Sequence, residues 1–149
     1  MTQTVALRSR KDRLRYTISF EICLMAILIP AGAAFFDKSL LDIGLLGLIL
    51  STKAMIVNYG YNIVFDRIDA RFGRTASDRG VVARILHAAG FEGTLLITSL
   101  PIYIFWLGLT IWQAIAADLV VTSFVMVFTF FFTLGFDKLY PVTPAQEAS

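Results

Sequence analysis

The stretch IAADLVVTSFVMVFTFFFTLGF, residues 115–136, carries a single charged side chain, Asp118. At 1.5 Å rise per residue it would run about 30 Å as a helix, the thickness of a bilayer's hydrocarbon core. Lipid offers the backbone no hydrogen-bond partner, so such a segment must be helical. Three more apolar runs lie upstream, at about 17–36, 43–65 and 88–107. They explain the composition, which is 57% hydrophobic and 16% charged, with a mean hydropathy of +0.73. A soluble domain carries about 25% charged residues. The expected fold is an all-α membrane protein with four transmembrane helices.

Basic residues ahead of the first run, and Ala31-Gly32-Ala33 near its end, outline a secretory signal. Glu21 interrupts the would-be apolar region, so the run is read as a retained span. Lys and Arg then set the orientation. Arg8, Arg10, Lys11, Arg13 and Arg15 precede the first span, and Lys138 follows the fourth. Arg67, Arg71, Arg74, Arg79 and Arg84 lie between the second and third, whereas Lys38 stands alone on the opposite side. Both termini are expected in the cytoplasm, in a bacterial inner membrane. Trp106 and Trp112 flank the second outer connection, as interface aromatics do.

The two halves superimpose at a constant offset: Arg13 on Arg84, Phe20 on Phe91, Glu21 on Glu92, Pro30 on Pro101 and Asp66 on Asp137. Coincident Arg, Glu, Pro and Asp are far more informative than coincident Leu. The chain therefore reads as two tandem copies of a helical hairpin, about residues 13–67 and 84–138. Each copy has two spans, so both enter from the same side and the repeat is parallel. Pro30 and Pro101 interrupt the helical hydrogen-bond ladder and are candidate kinks.

Charge at membrane depth is expensive, so ionisable residues within spans are functional candidates. Glu21 lies eight residues beyond Arg13, about 12 Å along the axis. Desolvation disfavours the charged form of a carboxylic acid, so an acid at this depth is suited to hold either a proton or a cation. Glu92 shares the argument. His87, on the same span, could relay protons or sense pH. Asn58 and Asn62 are four residues apart, on one face of the second span. Counted back from Asp66, Asn58 reaches the depth of Glu21, which suggests a shared polar site; interhelical packing is the alternative. Thr129 and Thr133 replace these amides in the second half, so two such sites would differ. Lys53 sits near mid-membrane opposite Phe124 in the repeat and needs an anion or water, with Asp118 a distant candidate. Asp66 beside Arg67, and Asp137 beside Lys138, read as interfacial ion pairs; with Arg13, Arg84, Lys53 and Asp118 they are the interfacial or gating candidates. The Phe-rich stretch 128–132 reads as packing or a lipid-facing surface, with a cation–π cage as the alternative. Cys23, the lone cysteine, reads as helix packing. No catalytic triad, phosphate loop, metal cluster or nucleic-acid module is present in the sequence, so no enzyme activity, metal or nucleic-acid partner is expected.

Residues 84–96, Arg84-Ile85-Leu86-His87-Ala88-Ala89-Gly90-Phe91-Glu92-Gly93-Thr94-Leu95-Leu96, resemble the span 3 motif of proteobacterial antimicrobial compound efflux transporters. Arg13 through Phe20-Glu21 is similar to its span 1 sister. Asn58-Tyr59-Gly60-Tyr61-Asn62 is similar to the paired-Asn motif, and Phe136-Asp137-Lys138-Leu139-Tyr140-Pro141 to the family's ending. Tyr16 stands where that family usually has His, and Val57 where a Trp usually precedes the first Asn. Both positions bear on substrate range, and Tyr16 joins the candidate site. The resemblance implies export of cationic biocides such as chlorhexidine, and of short diamines, driven by the proton motive force without another cofactor. It implies that Glu21 is the key carboxylate. Four spans enclose little volume, so a homo-oligomer is expected, as a parallel dimer. A membrane scaffold or sensor and a passive cation channel are the alternative functions.

Overall fold

The computed structural model describes residues 9–73 and 80–141. Its four helices are α1 (Arg10–Phe36), α2 (Leu40–Arg71), α3 (Val81–Leu107) and α4 (Ile111–Leu139), all long and apolar enough to cross a membrane. Each outruns the apolar run within it, and α1, α2 and α3 do so chiefly at the ends away from the short turns. Hydropathy marks where lipid begins, whereas a helix ends where its backbone finds a cap. Arg8, Arg74 and Arg79, part of the charge asymmetry, lie outside the described residues.

Both short turns are built alike. Asp37 ends α1 in the left-handed region at φ 52°, and Gly108 ends α3 at φ 69°. The cap N–H of each reaches back to the Ala33 and Ile104 carbonyls respectively. Ser39 and Thr110 then cap α2 and α4, their hydroxyls accepting from the Asp42 and Gln113 N–H groups. At Thr110 the Gln113 side chain returns a bond to the cap backbone, completing a capping box. Turns this tight force the flanking helices to run antiparallel.

The helices form a ring. α1 packs on α2 and α4, and α3 packs on the same two. Ile43, Leu46, Tyr103 and Ala114 make a small core near the short turns. Large apolar residues such as Phe35, Phe105 and Trp112 point outward, which in water would be untenable but suits a lipid surround. Pro30 and Pro101 lie inside continuous helices, so neither ends its helix.

Candidate functional site

Glu21 is half-buried on α1, and Ser51 of α2 donates its hydroxyl to Oε1 at 2.7 Å. Asn58, placed at the depth of Glu21 by counting from Asp66, is not the partner. It is exposed and accepts from Asn62 Nδ2 at 2.8 Å through both its carbonyl and its side chain. The tight turn after Phe36 fixes the hairpin register, and it brings Ser51 to Glu21. Asn58 lies two turns beyond Ser51, about 10 Å further along α2. The polar partner of Glu21 was thus missed, since a serine in an apolar span is an ordinary residue.

Two residues along a helix turn the side chain by about 200°. Ser51 therefore faces α1 while Lys53 faces α3. The Lys53 ammonium donates to Ser99 Oγ at 2.5 Å and to the Leu95 carbonyl at 3.1 Å. The Ser99 hydroxyl lies 2.8 Å from that same carbonyl and also interacts with the Asp118 carboxyl of α4. Lys53 and Asp118 thus meet through Ser99, and Lys53 feels the charge of both Asp118 and Glu92. Asp118, Ser99 and Tyr103 are buried. One oxygen of each acid, Glu92 Oε1 and Asp118 Oδ2, is buried without a hydrogen-bond partner among the described residues. Ser99 and Tyr103 were also missed. Their signal was available: Glu92, Ser99 and Tyr103 fall on one stripe of α3 at helical spacing.

Aromatics close the end of the bundle away from the short turns. The Tyr16 hydroxyl shares a 2.7 Å hydrogen bond with Thr133, and its ring packs edge-on against Phe132 and Phe136. Phe20 packs on Phe128 and Phe132. Arg15 lies over the Tyr140 ring, 4.9 Å from its centroid. Within the Phe-rich stretch, Phe128 and Phe132 serve this α1–α4 contact while Phe130 and Phe131 point outward. On the other side of the bundle, Tyr61 donates to the His87 carbonyl at 3.1 Å, and the His87 ring packs against Tyr61 and Phe65. His87 Nδ1 is buried without a hydrogen-bond partner among the described residues. Gly90 allows this packing, because a Cβ there would collide with the Tyr61 hydroxyl.

The opposite end is open. A cavity of about 600 Å³ lies chiefly between α1, α2 and α4 near the short turns, with Tyr103 and Leu107 of α3 also in its wall. Its walls are almost wholly apolar, and its polar lining groups are Gln113 and Tyr103, the latter close enough to Asp118 to feel its charge. Met25, one turn from Glu21, also lines it. The apolar chamber thus lies near two acidic positions inside the spans, with Met25 one turn from Glu21 and Ala117 next to Asp118 among its lining residues. No group of acidic, His and Cys side chains suited to a metal ion occurs among the described residues.

The family model described as chlorhexidine efflux transporter matches residues 8–71 and again residues 79–142. The chain belongs to this family. A short-chain diamines transporter of Vibrio parahaemolyticus is 34% identical over 132 residues, covering 89% of each chain. One from Acinetobacter baylyi is 31% identical over 129 residues, 87% of this chain and 89% of the relative. No solved structure matches the chain.

In this member of the chlorhexidine efflux transporter family the remaining candidates sit at the bundle end with the aromatics. Arg13 is exposed on the first turn of α1 and accepts the Thr17 hydroxyl at its carbonyl, 3.0 Å away. Arg84, Asp66 and Asp137 are exposed and each engages a neighbouring group. Cys23 is also exposed, so the packing expected of it does not occur within the chain. It points away from the ring of helices, a direction the apolar run alone could not give.

Proposed function

We propose that the transporter is a proton-coupled antiporter that exports cationic organic solutes, chlorhexidine-like biocides and short-chain diamines, across the bacterial inner membrane. The carrying observation is Glu21, an acid inside a span that is held by one hydroxyl and stands one turn from the apolar cavity. The diamine-transporting relatives support the solute class. An ammonium entering from the cytoplasm displaces the proton of Glu21. The loaded helices rearrange, with Pro30 and Pro101 as hinges, and open toward the short turns. A proton from the acidic outer side returns to Glu21 and expels the cation. The apolar walls receive the aryl or methylene part of the solute while the acid receives its charge. His87 and Glu92 supply a second titratable position on α3 for the proton's path.

The excess of Lys and Arg at the ends away from the short turns supports cytoplasmic termini. The twin turn designs at Asp37–Ser39 and Gly108–Thr110, and the paired family matches, support a parallel repeat. The many outward apolar residues leave room for a second copy, in a parallel dimer because every subunit inserts with the same charge bias.

The test is export of labelled cadaverine and of a fluorescent organic cation from cells expressing wild type or Glu21→Gln at matched membrane levels. Export that is abolished by an uncoupler and falls at least tenfold in the variant is expected. Unchanged export in the folded variant removes Glu21 from the exchange. Flux insensitive to the uncoupler replaces the antiporter with a passive channel.

A further inference from the structure

Glu21 and Glu92 occupy equivalent positions in the two halves, yet their surroundings differ in one decisive respect. Glu21 has a neutral partner, the Ser51 hydroxyl. The Glu92 side of the bundle already contains a cation. The Lys53 ammonium is fixed by two hydrogen bonds, to Ser99 Oγ and the Leu95 carbonyl. Leu95 lies one turn beyond Glu92 on α3, and Ser99 one turn further. Asp118 completes the group from α4, only 5% exposed and with Oδ2 unpartnered among the described residues. Glu92 Oε1 is likewise buried and unpartnered among the described residues. Two acids and one ammonium therefore share the space between α2, α3 and α4, Asp118 buried and Lys53 and Glu92 half-buried.

A primary ammonium on a flexible methylene stem is also the chemical form of one end of a linear diamine. We propose that Lys53 is a resident, tethered cation that fills a second amine-binding site between Glu92 and Asp118 and so keeps that site closed to free solutes. The site is built for a linear alkyl diammonium: an acid at each end, the Leu95 carbonyl and Ser99 hydroxyl between them. The cavity near the short turns reaches Tyr103, which is close enough to Asp118 to feel its charge, and offers the approach. With Lys53 in place, exchange is confined to the first half of the chain, and one solute binds per subunit. This inference rests on the acid-exchange reading only for that last consequence; the occupied site stands on its own geometry.

Cadaverine is the probe, its binding to purified protein in detergent measured by scintillation proximity, in a Glu21→Gln background that silences the first site. Glu21→Gln with Lys53 intact sets the baseline. Adding Lys53→Met is expected to raise cadaverine binding at least tenfold, whereas Lys53→Arg, which keeps a cation, leaves it at baseline. Adding Asp118→Asn to the Met variant removes the gain for the diamine. A folded Glu21→Gln/Lys53→Met protein that binds no more than its parent overturns the proposal, as does an equal gain in the Arg variant. Two uncompensated buried acids could prevent folding. In that event Glu21→Gln/Lys53→Met/Asp118→Asn, with one acid left, carries the test with n-pentylamine. A tenfold gain over the parent is expected, and no gain overturns the proposal. Because every gain is measured against a parent that retains Lys53, failure of Glu21→Gln to abolish export in cells is a separate result.

Discussion

Replacing Gly90 by alanine tests the close approach of α2 and α3 beside Glu92. A Cβ at this position meets the Tyr61 hydroxyl well inside van der Waals contact. The phenol cannot simply swing away, since its ring stacks on Phe65, packs edge-on against Phe91, and its hydroxyl is bonded to the His87 carbonyl. Overpacking of a close contact costs about 1–3 kcal/mol, and losing the hydrogen bond adds about 1 kcal/mol. Alanine returns about 1 kcal/mol of helix propensity relative to glycine. Gly90→Ala should therefore destabilise the protein by about 1–3 kcal/mol. Gly93, with open space around its would-be Cβ, is the control: Gly93→Ala should be neutral or stabilising by up to about 1 kcal/mol. The assay is unfolding in detergent micelles followed by tryptophan fluorescence, in wild-type and Tyr61→Phe backgrounds. Removing the hydroxyl makes room for the methyl, so Gly90→Ala should lose its penalty in Tyr61→Phe. An identical effect of Gly90→Ala in both backgrounds, or the same stabilisation as at Gly93, would refute the reasoning.

Tyr16→Phe deletes the 2.7 Å bond to Thr133 and should cost about 0.5–1.5 kcal/mol; adding Thr133→Val should then cost little more, which a double-mutant cycle of unfolding free energies reads directly. Ser99→Ala leaves the half-buried Lys53 with the Leu95 carbonyl as its remaining hydrogen-bond acceptor among the described residues and should destabilise by about 1.5–3 kcal/mol, the cost of losing a hydrogen bond to a charged group; an unchanged unfolding midpoint would show that Lys53 finds another acceptor. Gly108→Ala places a Cβ at φ 69° and should cost about 1–2 kcal/mol, seen as a lowered melting temperature in the same micelles. Thr110→Val removes the capping box on α4 and should lower stability by about 1 kcal/mol.

Sequence and structure agree where the physics is local. An acid within an apolar run, eight residues beyond an arginine, is visible from spacing alone, which is why Glu21 and Glu92 stood out. Lys53 and Asp118 were visible as anomalies for the same reason, but not as neighbours. Their meeting depends on Ser99 of a third helix, and nothing in the order of residues says which faces of α2, α3 and α4 turn inward together. The pairing of Glu21 with Ser51 rather than Asn58 fails the same way: counting inward from the far ends accumulates error, whereas the three-residue turn fixes the register.

What the amino-acid order determined by itself is the set of helices and their charged ends. A span is decided by the free energy of moving a contiguous segment from water to lipid, a sum over neighbours in sequence. What the tertiary structure alone decided is which polar groups share a site. A polar contact within the bundle depends on rotation and register between helices far apart in the chain. Those are set by how whole surfaces interlock, around Gly90 and Tyr61, Tyr16 and Phe132, and the capped turns. Packing of that kind is a property of the assembled faces, and it is what separates an acid held by a serine from an acid that shares its space with a lysine.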